Sequence, residues 1–132
     1  MGADGIILAI VGSRKFDDYD FICQKIHENV DMNIVKEMIS GGAIGVDTCG
    51  KRFADDNGIP IVVKKPDYKK YKDHPKYAPI ARNREIADYC DTMIAFYYDD
   101  SNGTKDAMTY AGSIGRNVIK INLHEEYNKC QD

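Results

Sequence analysis

The stretch "GTKDA", Gly103 to Ala107, follows the run "TMIAFYYDDSN". A glycine and a threonine just past an apolar strand can turn a backbone N–H and a hydroxyl toward a phosphate where the next helix begins. Asn102, Gly103 and Thr104 are therefore candidate ligand contacts, with Asn102 also a candidate helix cap. Some enzymes with such a turn carry a glutamate three residues after the threonine. Here that place holds Ala107, and Asp106 stands one step short, about 100° away around a helix.

Three further stretches carry residue types suited to an anion. In "GSRKF", Gly12 permits a tight turn, Ser13 can cap it or bind a phosphate oxygen, and Arg14 can make a forked contact to phosphate or carboxylate. In "SGGAIGVD", Gly41, Gly42 and Gly45 leave backbone N–H groups free to wrap an anion at a helix start. Asp47 falls in the first turn of that helix, where a carboxylate suits the dipole and can also accept from ribose hydroxyls. In "ARNRE", residues two apart do not share a helix face, so Arg82 and Asn83 are expected to point inward and Arg84 outward, toward Asp88. The loop "KKPDYKKYKDHPKY" interleaves six lysines with Tyr68, Tyr71 and Tyr77. It reads equally as a solvated loop, a lid over a phosphate, or a grip on single-stranded nucleic acid. Tyr98 can stack on a base or pack as core, and His74 reads as a bystander.

Short apolar runs position these stations. "IILAIV", "IVKEMIS" (Ile34–Ser40), "IPIVVKK", "DTMIAFYY" and "NVIKINL" read as strands, with helical patterns between them and a polar tail or short helix after the last. Alternation of this kind predicts an α/β fold, a Rossmann-like three-layer sandwich with a mostly parallel sheet of about five strands and helices on both faces. Right-handed crossovers gather the loops after each strand on one edge, where such sheets bind ligands.

A length of 132 residues fits one domain, with its core at about residues 6–121, and 43% apolar residues suffice for that core. Cys23, Cys49, Cys90 and Cys130 form no CxxC pair and read as reduced thiols of a cytoplasmic protein. No metal-ligand pattern, Walker A loop or clean GxGxxG occurs, so neither metal nor cofactor is expected. The start reads as a strand rather than a signal peptide, Ile6 breaks a myristoylation pattern, and no run is long enough to cross a membrane. A net charge of −3 argues against nucleic acid as a partner.

"VGSRKFDDYD", "SGGAIGVDTCGKRFADDNGIPIV", "YAPIARNREIADYCDTMIAFY" and "NGTKDAMTYA", in that order, resemble the YspA-like family of the SLOG superfamily over nearly the whole chain. The resemblance implies a Rossmann-like fold and a site for nucleotides or nucleotide-derived ligands. The superfamily includes LOG-type phosphoribohydrolases, DprA proteins that bind single-stranded DNA, and sensor domains of antiviral systems that bind ADP-ribose-containing signals. The LOG-type motif is PGGxGTxxE, and its glutamate, with an arginine from the preceding helix, serves cleavage of the glycosidic bond. Alanine cannot supply that charge to an oxocarbenium-like state, so holding is favoured over cutting, with Asp47 and Glu85 as the remaining carboxylates.

The expectation is a sensor or a signal-sequestering sponge for a nucleotide or an NAD-derived phosphate ligand, paired as a homo-oligomer as SLOG-type domains often are. A nucleotide N-glycosidase and a DprA-like single-strand binder are the alternatives.

Overall fold

The computed structural model describes residues 5–128. Cys130 and the first four residues lie outside that range, as do the readings made on them. Five strands form one sheet, β1 (Ile6–Gly12), β2 (Val35–Ser40), β3 (Ile61–Val63), β4 (Thr92–Tyr97) and β5 (Asn117–Asn122). Their spatial order is β3-β2-β1-β4-β5 and every pairing is parallel. Helices α1 (Tyr19–Asn29), α2 (Val46–Asp56), α3 (Tyr77–Tyr89) and α4 (Asn102–Ser113) make the crossovers.

Alternation along the central strands divides the core. Leu8, Ile10, Met38, Ile94 and Phe96 face one way and pack with Ile22 and Ile26 of α1 and Val46 and Phe53 of α2. Ala9, Val11, Ile39, Met93 and Ala95 face the other way, against Ile86 and Ala87 of α3 and Ala107, Met108 and Ala111 of α4. Two apolar faces explain why β1 and β4 read as continuous apolar runs rather than alternating ones. The result is the expected three-layer α/β sandwich.

Local chemistry sets the boundaries. Asp18 caps α1 by accepting from the Phe21 N–H at 3.2 Å. Asp31 caps a 3-10 turn at Met32–Ile34, so β2 begins at Val35 and not at Ile34. α4 starts one residue earlier than a cap at Asn102 would require, because Ser101 holds the cap position and Asn102 is already helical. The "HEEYN" segment closes the described chain as one wide helical turn at His124–Asn128.

Strand order fixes the order of the loops along the carboxyl edge of the sheet. The loop after β3 lies at one side, then those after β2 and β1, and the loop after β4 lies at the other. Among the described residues, no helix is long and apolar enough to cross a membrane.

Candidate functional site

Backbone contacts knit three of these loops together. The Ser13 N–H donates to the Phe96 carbonyl at 2.9 Å, tying the end of β1 to β4. The Val46 N–H donates to the Ser13 carbonyl at 3.2 Å, tying the start of α2 to the same turn. Neither approach leaves room for a side chain. A Cβ on Gly12 would lie 2.5 Å from the Phe96 carbonyl oxygen, and one on Gly45 would lie 2.6 Å from that of Ser13. Gly45 also holds φ at +80°, a region that other residues rarely adopt.

The knitted loops enclose a cleft of about 460 Å³ at the carboxyl edge of the sheet, a size typical of small-molecule sites. Gly12, Ser13, Arg14, Gly42, Asp47, Arg82, Asn83, Asn102, Gly103 and Thr104 all line it. Gly41 and Gly45 stand behind the wall and shape it instead. Gly41 passes so close to the Asp47 carboxylate and the Arg82 guanidinium that a Cβ there would meet them at 2.6 and 2.8 Å.

Asp47 and Arg82 form the buried floor, at 5% and 7% exposure. Asp47 accepts from the Ala43 N–H at 3.2 Å, which holds the glycine loop in its curve. Burial pushes the Asp47 carboxyl up to about 6, against the hydrogen bond from Ala43 and the charges of Arg82 and Arg14, which pull it down. Arg82 donates from Nη1 to the Gly41 carbonyl and from Nε to the Asn83 side-chain oxygen at 2.7 Å. Burial lowers its pKa, partly offset by Asp47. Its Nε and Nη1 are thus engaged in structural bonds, and the side chain lines the cleft. Asn83 reaches the Gly103 carbonyl at 3.4 Å, so α3 braces both the β2 loop and the start of α4.

At the opposite wall, α4 has no side-chain cap. The Ser101 hydroxyl turns back to accept from the Tyr98 N–H at 3.0 Å. Gly103 and Thr104, whose first-turn amides have no intrahelical acceptor, line the cleft at the positive end of the helix dipole. Lys15 and Asp100 meet across the mouth at 2.8 Å and are largely exposed. Arg14, Lys15 and Arg82 therefore set three cations against the carboxylates of Asp47 and Asp100.

Several side chains stand elsewhere than the sequence suggested. Arg84 does turn outward, but its partner is Asp106 on α4, at 3.0 and 3.3 Å, and Asp88 accepts from the Tyr110 hydroxyl instead. Asp106 thereby leaves the site. Ala107 is fully buried in the core between α3, α4 and the sheet. Glu85 pairs with Lys64 in a separate groove beside β3. Tyr98 packs edge-on to Phe16 and His124 and does not line the cleft. Asp47 is the one candidate carboxylate of the three that reaches it.

Lys15, Ala43, Pro66, Pro79, Asp100 and Ser101, which no sequence pattern marks, also line the cleft, as does Tyr68 of the Lys/Tyr loop. Pro66 and Tyr68 belong to the Lys/Tyr loop, whose mixed composition left its role open.

Two solved structures share the fold. One, with a TM-score of 0.63 and 17% identity, is DNA processing protein A from Helicobacter pylori, described by its single-stranded DNA binding mode; the match covers 98% of this chain and 74% of that one. The other is DNA processing protein A from Streptococcus pneumoniae, with a TM-score of 0.54, 18% identity and coverage of 95% and 62%. This chain thus spans less than two thirds of the second neighbour. No curated protein matches the chain. The neighbours correct the expectation that nucleic acid is an unlikely partner. That expectation rested on the total charge, and a total of −3 does not describe the local field of a lysine-rich loop. The model of the YspA, cpYpsA-related SLOG family matches residues 6–71, half of the sequence, and the chain belongs to that family.

Proposed function

We propose that this protein binds a nucleotide or an ADP-ribose-type phosphate ligand and holds it intact, as a sensor or a sequestering module. The observation that carries this reading is the convergence of the Gly12–Lys15 turn, the glycine loop at Gly42 and the uncapped start of α4 on one cleft with three cations. Phosphate would sit on the amides of Gly103 and Thr104, with Arg14 and Lys15 beside it. Asp47, in the middle, is suited to accept from ribose hydroxyls, and Asn83 to orient the sugar or the base. Holding is supported by the burial of Ala107 where a catalytic glutamate would stand, and by Asp106 and Glu85, neither of which lines the cleft; Asp100, which does, is paired with Lys15.

The test is calorimetric titration with AMP, NAD and cyclic ADP-ribose isomers, followed by denaturation and mass spectrometry of what was bound. Recovery of intact ligand supports the reading. Release of free base that stops with Asp47→Asn would make the protein an N-glycosidase. A protein that binds none of these ligands would refute the proposal.

A second reading is a single-stranded DNA site. It is favoured by the exposed Lys65, Lys69, Lys70, Lys72 and Lys76, in a loop that reaches the cleft through Pro66 and Tyr68. Strong, salt-sensitive binding of an unstructured oligonucleotide, lost when these lysines are neutralised, would establish it. Pairing of two copies is tested in the same samples by mass measurement with and without ligand.

A further inference from the structure

The cleft is chemically two-sided, and the order of the strands gives it a direction. At the β4 side lie Gly103, Thr104 and the exposed pair of Lys15 and Asp100. At the β3 side lie Pro66 and Tyr68, with Pro79 from the first turn of α3. The strand order β3-β2-β1-β4 separates the two sides by three strand spacings, about 14 Å. That span fits a nucleoside phosphate laid lengthwise across the sheet edge, with its anion on α4 and its other end on the apolar group.

Tyr68 is 54% exposed although it lines a cleft. A large exposed ring in a cleft wall that also holds Pro66 and Pro79 offers a flat surface for another flat, apolar group. Tyr98, the other aromatic considered for such a role, is occupied by its contacts with Phe16 at 6.4 Å and His124 at 5.0 Å.

We infer that Tyr68, which lines the cleft together with Pro66 and Pro79, is the platform on which the aromatic base of a nucleoside phosphate stacks. This rests on the reading of the cleft as a phosphate site and adds to it the element that tells a nucleotide from a bare sugar phosphate. Tyr68 is a specificity-determining residue, and the Lys/Tyr loop supplies one wall of the site as well as charge around it.

The experiment compares AMP with ribose 5-phosphate in calorimetric titrations of the wild-type chain, Tyr68→Ala, Tyr68→Phe and Tyr68→Trp. Because Tyr68 is exposed, each variant is expected to fold, and melting curves check that. Wild type should prefer AMP by on the order of tenfold, the worth of one stacked base. Tyr68→Ala should lose that preference and leave ribose 5-phosphate affinity unchanged, while Tyr68→Phe keeps it. The chain contains no tryptophan, so Tyr68→Trp introduces a single tryptophan whose emission AMP should quench and ribose 5-phosphate should not.

Equal affinity of wild type for the two ligands would overturn the platform and leave the phosphate site standing. A Tyr68→Ala protein that still prefers AMP would overturn it too. Failure of wild type to bind either ligand would overturn both inferences together.

Discussion

The Arg82 guanidinium donates to the carbonyl of Gly41, and it crowds, together with the Asp47 carboxylate, the face of that glycine where a side chain would stand. A buried cation, a bare backbone and a buried carboxylate thus form one unit, and the curve of the β2 loop depends on all three. Gly41→Ala would push a methyl group to within 2.6 Å of Asp47 and 2.8 Å of Arg82. We expect a loss of about 1–3 kcal/mol in denaturant unfolding, as for other overpacked sites, together with loss of ligand binding. Unchanged stability in Gly41→Ala would show that the unit is looser than its geometry indicates. Arg82→Lys keeps the charge and loses the fork, and should bind ligand as poorly as Arg82→Ala.

Gly103 is the opposite case. A Cβ there meets only the Asn83 side-chain nitrogen, at 3.8 Å, and the residue sits in the first turn of α4. Gly103→Ala should fold at least as well as the wild type, with a gain of up to about 1 kcal/mol from the unfolded chain. If phosphate rests on the Gly103 amide, the added methyl group should nonetheless weaken binding. Stability and affinity would then move in opposite directions in one variant, which thermal melts and titrations read separately. Affinity that rises along with stability would place the phosphate elsewhere.

The sheet was legible because buried parallel strands are apolar throughout, and Ile6–Val11 and Thr92–Phe96 declare themselves without reference to anything distant. Gathering of Arg14, Asp47, Arg82 and Thr104 followed from the rule that loops after parallel strands share one edge. What stayed hidden depends on cross-element geometry. Arg84 finds Asp106 on another helix rather than Asp88 on its own, because α3 and α4 lie side by side. Glu85 and Tyr98 differ from Asp47 only in the direction each faces, and no local pattern encodes that. Tyr68 was masked by its neighbours, since a lysine-rich loop looks the same whether or not one ring turns inward. The acidic total misled on nucleic acid for the same reason: a sum discards position.

Asp47 links stability to pH. Its folded pKa of about 6 lies above the ordinary carboxylate value near 4, so between these values the folded protein holds more proton than the unfolded one. The ionised group therefore opposes folding, by on the order of 2–3 kcal/mol once the pH exceeds 6. Asp47→Asn should melt higher than wild type at pH 7.5, and the two should converge as the pH falls toward 4. Should ribose be recognised by the ionised carboxylate, ligand affinity of the wild type will fall below pH 6, and Asp47→Asn will bind weakly at every pH. A variant less stable than wild type at pH 7.5 would mean that the attraction of Arg82 and the hydrogen bond from Ala43 outweigh the cost of burial.

Lys15 and Asp100 close the mouth of the cleft with an ion pair 2.8 Å long, exposed to 72% and 66%. Exposed pairs of this kind contribute little to folding, because water solvates both partners when they part. Asp100→Asn should accordingly leave the melting temperature unchanged. It should also free the Lys15 ammonium for an incoming anion and remove a carboxylate that repels it, so phosphate ligands should bind a few-fold more tightly at low salt. Raising the salt concentration should shrink the gain, since the field at an exposed mouth is screened within about 10 Å at 0.1 M. Weaker binding in Asp100→Asn would mean that Asp100 serves the ligand itself, as an acceptor for a hydroxyl or an amine, and would move the anion away from Lys15.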